Sequence, residues 1–145
     1  MNIVCIGAHP DDAEYFAGGI MTLFARNGHN VLAVSLSNGD IGHHAMGGGM
    51  LAQRRMEESR AAAQIGGYES LTLDNHDGEL FPDLNLRKSV VRIIRNHEAN
   101  IVFTHRPNDY HPDHRYTSQV VQDAAFMVTV PQFCPDTKAL QNNPL

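Results

Sequence analysis

IVCIGAHPDD, the stretch at residues 3–12, joins a short apolar run to a polar turn that carries His9, Asp11 and Asp12. An apolar run of this length, rich in β-branched residues and closed by a glycine, predicts a buried strand over 3–7. A second apolar run at 101–104 is followed by a similar cluster, HPDH, at 111–114. Two predicted strands therefore each deliver histidine and aspartate to the loop that follows.

Strand and helix patterns alternate along the rest of the chain. Strands are predicted over 3–7, 31–36, 70–73 and 101–104, and helices over 14–27, 51–65, 85–97 and 116–126. This alternation predicts a Rossmann-like three-layer α/β/α fold with a mostly parallel sheet of order 3-2-1-4. In that order strands 1 and 4 are neighbours where the winding reverses, and open α/β sheets bind ligands at that crevice. The two histidine–aspartate loops are therefore expected to meet.

The bulk composition is that of a single globular domain over 1–145. The chain is 42% apolar and 19% charged, which excludes the disordered class of proteins. A formal net charge of −5 without a dense basic stripe argues against a nucleic-acid partner. The apolar runs are too short for a membrane span or signal peptide, so we predict a cytoplasmic protein with no membrane partner. Cys5 and Cys134 match no paired metal or redox spacing and are expected to be reduced.

The first loop has the residues of a metal site. His9 and Asp12 are three positions apart at the start of a predicted helix, where such residues lie on the same side. With His114 as a third ligand, two histidines and one carboxylate form a set that suits catalytic zinc and also non-haem iron. Asp11 is then placed to act as general base on a water that the metal acidifies. The alternative is that these side chains only cap the helix that follows.

The second loop offers more groups than one metal needs. A ligating or catalytic histidine usually donates its other ring nitrogen to a carboxylate, so Asp113 is expected to orient a histidine and keep it charged. His111 is expected to stabilise a developing oxyanion and to protonate the leaving group. The alternative is a solvated polar loop, because these residue types are common in loops.

The two motifs together resemble the LmbE/PIG-L family of metal-dependent N-acetylglucosaminyl deacetylases. The resemblance runs over most of the chain and includes RRME at 54–57, AAA at 61–63 and Ile65-Gly66, which resemble the family's second helix. It implies zinc bound by His9, Asp12 and His114, with Asp11 as general base, His111 as oxyanion stabiliser or acid, and Asp113 as the modulator of His111. It also implies that Arg54 contacts the substrate. The alternative for Arg54 is a surface pair with Glu58 one helical turn away.

The resemblance implies a zinc-dependent hydrolase, with Fe²⁺ as the alternative metal. Such an enzyme removes the N-acetyl group from an N-acetylglucosamine glycoside and gives acetate and a free amino sugar. Phe133-Cys134-Pro135 resembles the small bacterial members of the bacillithiol-biosynthesis type, which act on GlcNAc linked to malate. The resemblance also implies a homo-oligomer, trimer or hexamer. Family members are longer, so the domain at 1–145 is predicted to lack its C-terminal portion.

Other functions remain open on the sequence alone. One is a non-catalytic module that binds a sugar or nucleotide sugar on the same Rossmann-like sheet. Another is an amidase of the same family that acts on a thiol-glycoside conjugate. An iron oxygenase with the same ligands is disfavoured, because Asp11 would have no task in it.

Overall fold

The four predicted strands form one parallel sheet in a computed structural model that describes residues 1–145. The strands are β1 (Asn2–Gly7), β2 (Asn30–Ser35), β3 (Glu69–Thr72) and β4 (Ile101–Thr104). Their order is β3-β2-β1-β4, and Ile3 of β1 aligns with Val31 of β2 on one side and Ile101 of β4 on the other. The predicted fold class and strand order are confirmed.

Four helices cover the two faces of the sheet. They are α1 (Asp12–Arg26), α2 (Gly49–Gly66), α3 (Leu84–Asn96) and α4 (Pro112–Met127). Because side chains alternate along a strand, Val4 and Ile6 enter a 17-residue core under α3 and α4. Ile3 and Cys5 enter a six-residue core on the opposite face, under α1. None of these helices combines the length and apolar character that crossing a membrane requires.

All four helices begin earlier than predicted, and two of these changes affect the site. Helix α4 starts at Pro112 rather than at residue 116, because proline suits the first helical position and the His111 ring accepts the N–H of Asp113 as a cap. Helix α1 starts at Asp12 rather than at residue 14. Asp113 and His114 thus lie in the first turn of a helix, which fixes their relative directions, instead of in a loop.

The chain after α4 lacks helix and strand but is organised around one buried cation. Arg95, near the end of α3, is 3% exposed. Its guanidinium donates to the main-chain carbonyls of Met127, Val128, Val130, Phe133, Cys134 and Thr137. At the end of the chain, Leu145 exchanges main-chain hydrogen bonds with Asn100 and Val102 at the outer edge of the sheet.

Candidate active site

Asp12 is held by the turn that precedes it. Its Oδ2 accepts the N–H groups of Ala8 at 2.9 Å and His9 at 2.8 Å. No side chain caps α1, so these contacts replace the capping role considered above. Gly7 is required for the close approach, because a Cβ there would lie 2.6 Å from the Asp12 Cβ. The carboxylate is therefore anchored through one oxygen, and Oδ1 accepts no main-chain hydrogen bond.

The three predicted ligands come together around this carboxylate. His114 Nε2 lies 3.3 Å from Asp12 Oδ1, and His9 Nδ1 lies 3.4 Å from Asp12 Oδ2. The centroids of the two imidazole rings are 5.2 Å apart. His114 Nδ1 lies 3.1 Å from Asp109 Oδ1, a carboxylate–histidine contact that leaves Nε2 free to face Asp12. Strands β1 and β4 thus bring both loops to one place.

Two further carboxylates contact His9 from the other side. His9 Nε2 lies 3.1 Å from Asp77 Oδ1 and 3.2 Å from Asp113 Oδ2. Asp113 is fully buried, and its Oδ2 also accepts the N–H of Gly78 at 2.8 Å. The structure differs here from the predicted pairing of Asp113 with His111. The early start of α4 directs the Asp113 carboxylate inward beneath His9.

His111 keeps only a main-chain contact with Asp113. Its Nδ1 accepts the Asp113 N–H at 3.2 Å, so Nε2 carries the proton of the neutral ring. This hydrogen bond assigns the tautomer, and the Asp113 carboxylate itself contacts His9 instead. His111 still lines the cleft and presents one N–H donor.

Three site residues have no part in the sequence predictions: Asp77, His105 and Asp109. Asp77 arrives from the loop after β3, which is not at the switch point. Buried Asp40 holds that loop, because its Oδ1 accepts the Asp77 N–H at 3.1 Å and its Oδ2 lies 2.7 Å from His76 Nδ1. His105 and Asp109 lie between β4 and the HPDH motif, and their nearness to that motif was the only signal for them.

Asp11 and the two arginines occupy the outer part of the site. The Asp11 side chain is 57% exposed, and its Oδ2 lies 2.5 Å from Nη2 of Arg55. Arg55 lines a cleft of about 450 Å³ together with Asp11, His9 and His111. Arg54 does not line it and pairs with Glu58 at 2.9 Å on the exposed side of α2. Substrate binding by Arg54 stays a prediction from the family resemblance.

The environment of the cluster favours a positive charge on His9 and a negative charge on Asp12. Burial opposes protonation of His9, but hydrogen bonds to Asp12 and Asp77 raise its pKa to about 10. Burial likewise disfavours the Asp12 carboxylate, yet hydrogen bonds from His105 and His9 hold its pKa well below the usual range. Burial lowers the pKa of His114, which favours the neutral imidazole that a metal requires.

In the metal-free protein, the free energy of unfolding is expected to fall as the pH rises from 6.5 toward 10. The pKa of His9 rises from 6.5 to about 10 on folding, so its contribution is complete below pH 6.5. It is lost as the pH passes through the folded-state value. Urea unfolding with a chelator present measures this dependence, and the variant His9→Gln should lack it. Equal pH dependence in both proteins would contradict the prediction.

The donor set fits a divalent transition metal. Three groups each bring three ligand atoms within 4.8 Å of one another: His9, His111 and His114; Asp12, His105 and His114; and His9, Asp77 and Asp113. No single group holds all three predicted ligands: His9 and His114 share the first group, and Asp12 and His114 share the second. In addition, Oδ1 of buried Asp113 has no hydrogen-bond partner. Imidazole with carboxylate is the ligand chemistry of zinc and of non-haem iron.

Comparisons with known proteins identify the family of the chain. The model of the PIG-L family (GlcNAc-PI de-N-acetylase) matches residues 4–125. The diacetylchitobiose deacetylase of Thermococcus kodakarensis is 32% identical over 137 residues, which cover 90% of this chain and 51% of that protein. The inhibitor-bound structure of the Pyrococcus horikoshii diacetylchitobiose deacetylase superposes with a TM-score of 0.85 at 28% identity, over 92% of this chain and 52% of that one.

The same fold also occurs with another chemistry. The structure of a 4-carboxy-2-hydroxymuconate hydratase from Pseudomonas putida superposes with a TM-score of 0.88 at 25% identity, over 99% of this chain and 63% of that one. The chain spans about half the length of the two deacetylases that it resembles. The family model nevertheless covers both histidine–aspartate motifs and the elements between them. The chain therefore belongs to the PIG-L (LmbE) family.

Proposed function

We propose that this chain carries the metal and catalytic site of an N-deacetylase that acts on an N-acetylglucosamine derivative. The observation that carries the proposal is the convergence of His9, Asp12 and His114 beside Asp11 and His111 in one cleft. The two diacetylchitobiose deacetylases among the relatives support the substrate class. A base and an N–H donor beside a metal set suit amide hydrolysis.

His9, Asp12 and His114 would hold the metal, with zinc proposed and Fe²⁺ as the alternative. When bound, the metal would polarise the acetamide carbonyl and lower the pKa of a water molecule. Asp109 and Asp113 orient His114 and His9 through the ring nitrogens that face away from Asp12. This arrangement holds two imidazoles in fixed directions before any ligand arrives.

Asp11 and His111 would carry the proton transfers. Asp11 takes a proton from the attacking water while the water oxygen bonds to the acetamide carbon. The Nε2–H of His111 donates to the oxyanion that develops on the carbonyl oxygen. As the carbon–nitrogen bond breaks, the departing amine takes up the proton that Asp11 received from the water, and the products are acetate and a free amino sugar. Arg55 holds the Asp11 carboxylate through the contact described above.

Several properties of the whole protein extend this proposal. The resemblance supports a homo-oligomer, trimer or hexamer, and a small-molecule glycoside as the partner. A bacillithiol-type substrate such as GlcNAc-malate is one member of the proposed class. The cytoplasm remains the predicted location.

Acetate release tests the function. The 145-residue chain would be assayed with N-acetylglucosamine, N,N′-diacetylchitobiose and GlcNAc-malate after chelation and after reloading with Zn²⁺ or Fe²⁺. We expect acetate from at least one substrate only in reloaded protein, with none from the control variant His114→Ala. A chain that binds the sugar but neither binds metal nor releases acetate would instead support a non-catalytic binding module.

A further inference from the structure

We propose that His105 is a positioning residue, which fixes the carboxylate of Asp12 for metal binding without being a ligand itself. The inference rests on the proposed metal site and adds a residue to it. His105 follows the last residue of β4, and its side chain is 8% exposed. Its ring contacts two predicted ligands at once, Asp12 through a hydrogen bond and His114 through stacking.

The hydrogen bond identifies which Asp12 oxygen His105 controls. His105 Nε2 lies 3.1 Å from Asp12 Oδ2, the oxygen that also accepts the N–H groups of Ala8 and His9. The Ala8 N–H also lies 3.1 Å from His105 Nε2, but a ring nitrogen that donates cannot accept. The three donors are therefore satisfied together when Nε2 carries a proton and all of them point at Oδ2.

This arrangement gives the two oxygens of Asp12 different tasks. Oδ2 receives three N–H donors and also lies 3.4 Å from His9 Nδ1, whereas Oδ1 faces His114 Nε2 and accepts no main-chain hydrogen bond. The two main-chain donors come from one side of the turn, and His105 adds the only side-chain N–H from the neighbouring strand. Loss of that donor would leave the carboxylate freer to rotate about its Cβ–Cγ bond.

The stacking contact gives His105 a second point of action. The rings of His105 and His114 are 4.0 Å apart between centroids and 6° from parallel. Asp109 fixes one edge of the His114 ring, and the stacked His105 ring limits its movement perpendicular to the plane. A hydrogen-bonding role and a packing role can thus be separated by substitutions that keep one contact and remove the other.

Zinc affinity of three variants tests the proposal. His105→Phe keeps an aromatic ring against His114 but removes the donor, and His105→Asn has an amide too short to reach Asp12. His105→Gln places an amide N–H where Nε2 lies, and His97→Gln at the end of α3 is the control. Competition with a chromophoric chelator would give each affinity, and the visible spectrum of the Co²⁺-loaded protein would report the coordination geometry. Thermal unfolding with chelator present would show that each variant is folded.

We expect His105→Phe and His105→Asn to bind zinc roughly 10- to 100-fold more weakly, the usual effect of losing a group that orients a ligand. His105→Gln and His97→Gln should bind like the unmodified chain, with an unchanged Co²⁺ spectrum. Wild-type affinity in both donor-free variants would overturn the proposal, and so would a His105→Gln variant as weak as His105→Phe, since His105 would then be a ligand. If the unmodified chain bound neither zinc nor Fe²⁺, the proposed function itself would fail.

Discussion

Replacement of Arg95 by methionine is expected to destabilise the protein by about 3–5 kcal/mol. The buried guanidinium has no carboxylate partner and donates to six carbonyl oxygens at the end of α4 and in the chain after it, at distances between 2.6 and 3.3 Å. Methionine fills a similar volume but donates no hydrogen bond, so the carbonyls of Phe133 and Thr137 would lose their donor, while the other four would each keep one main-chain donor. A buried carbonyl without a hydrogen-bond partner costs more free energy than a typical hydrogen bond contributes. Urea unfolding would measure the change, and the melting temperature should fall by roughly 10–15 °C.

Arg92 provides the matched control, because it lies one turn earlier on α3. Its guanidinium pairs with Asp136 at 2.6 Å on the surface, and water can replace that contact. Arg92→Met should therefore unfold close to the unmodified protein. Arg95→Lys keeps the charge but lacks the planar fork that reaches several carbonyls, so we expect a partial loss. Similar stability of Arg95→Met and Arg92→Met would show that the carbonyl network adds little.

The role of Arg95 could not be predicted from the sequence. Apolar periodicity located every strand and helix, because each element buries a regular stripe or alternating face. The segment after α4 has no such period, and its order depends on contacts between residues more than thirty positions apart. Nothing in the local pattern marks Arg95 as different from Arg92, which has the same side chain on the same helix.

The site was predictable to the extent that the switch point fixes it. Because β1 and β4 are adjacent, the sequence alone could bring His9 and Asp12 near His114. The hydrogen bonds among them could not be predicted, since they depend on the start of α4. That start decides that the Asp113 carboxylate contacts His9, while only the Asp113 N–H contacts His111. Asp77 was missed for a related reason, because its position depends on a contact between two loops made by Asp40.

Asp11 combines catalytic potential with backbone strain. Its φ of 141° lies in a region that residues with a Cβ rarely adopt. Conformations of this kind cost about 1–3 kcal/mol and persist where the surrounding structure enforces them. Asp12, the first residue of α1, is anchored to the N–H groups of Ala8 and His9, and this closed turn enforces the conformation of Asp11. The strain places the Asp11 carboxylate at the cleft, next to Arg55 and outside the cluster of metal-binding groups.

Asp11→Asn is expected to lower kcat for acetate release by roughly 10²- to 10⁴-fold, the usual contribution of a general base. Asparagine has the same shape as aspartate, so the backbone strain is retained, but it cannot accept the proton. Zinc affinity should be unchanged, because Asp11 belongs to none of the three ligand groups. Steady-state kinetics and chelator competition on the same zinc-loaded protein would measure both quantities. Full metal content together with wild-type kcat would exclude Asp11 as the base.

The variant Asp11→Gly distinguishes the effect of backbone strain on stability from the effect of the carboxylate on catalysis. Glycine adopts this backbone conformation without a Cβ penalty, so the variant should be at least as stable as the unmodified chain in urea unfolding. It should nevertheless be as inactive as Asp11→Asn, because both lack the carboxylate. A protein that gains stability when its proposed base is removed would show that the strained turn is retained for catalysis rather than for folding. If Asp11→Gly were instead less stable, the contact between Asp11 and Arg55 would outweigh the strain.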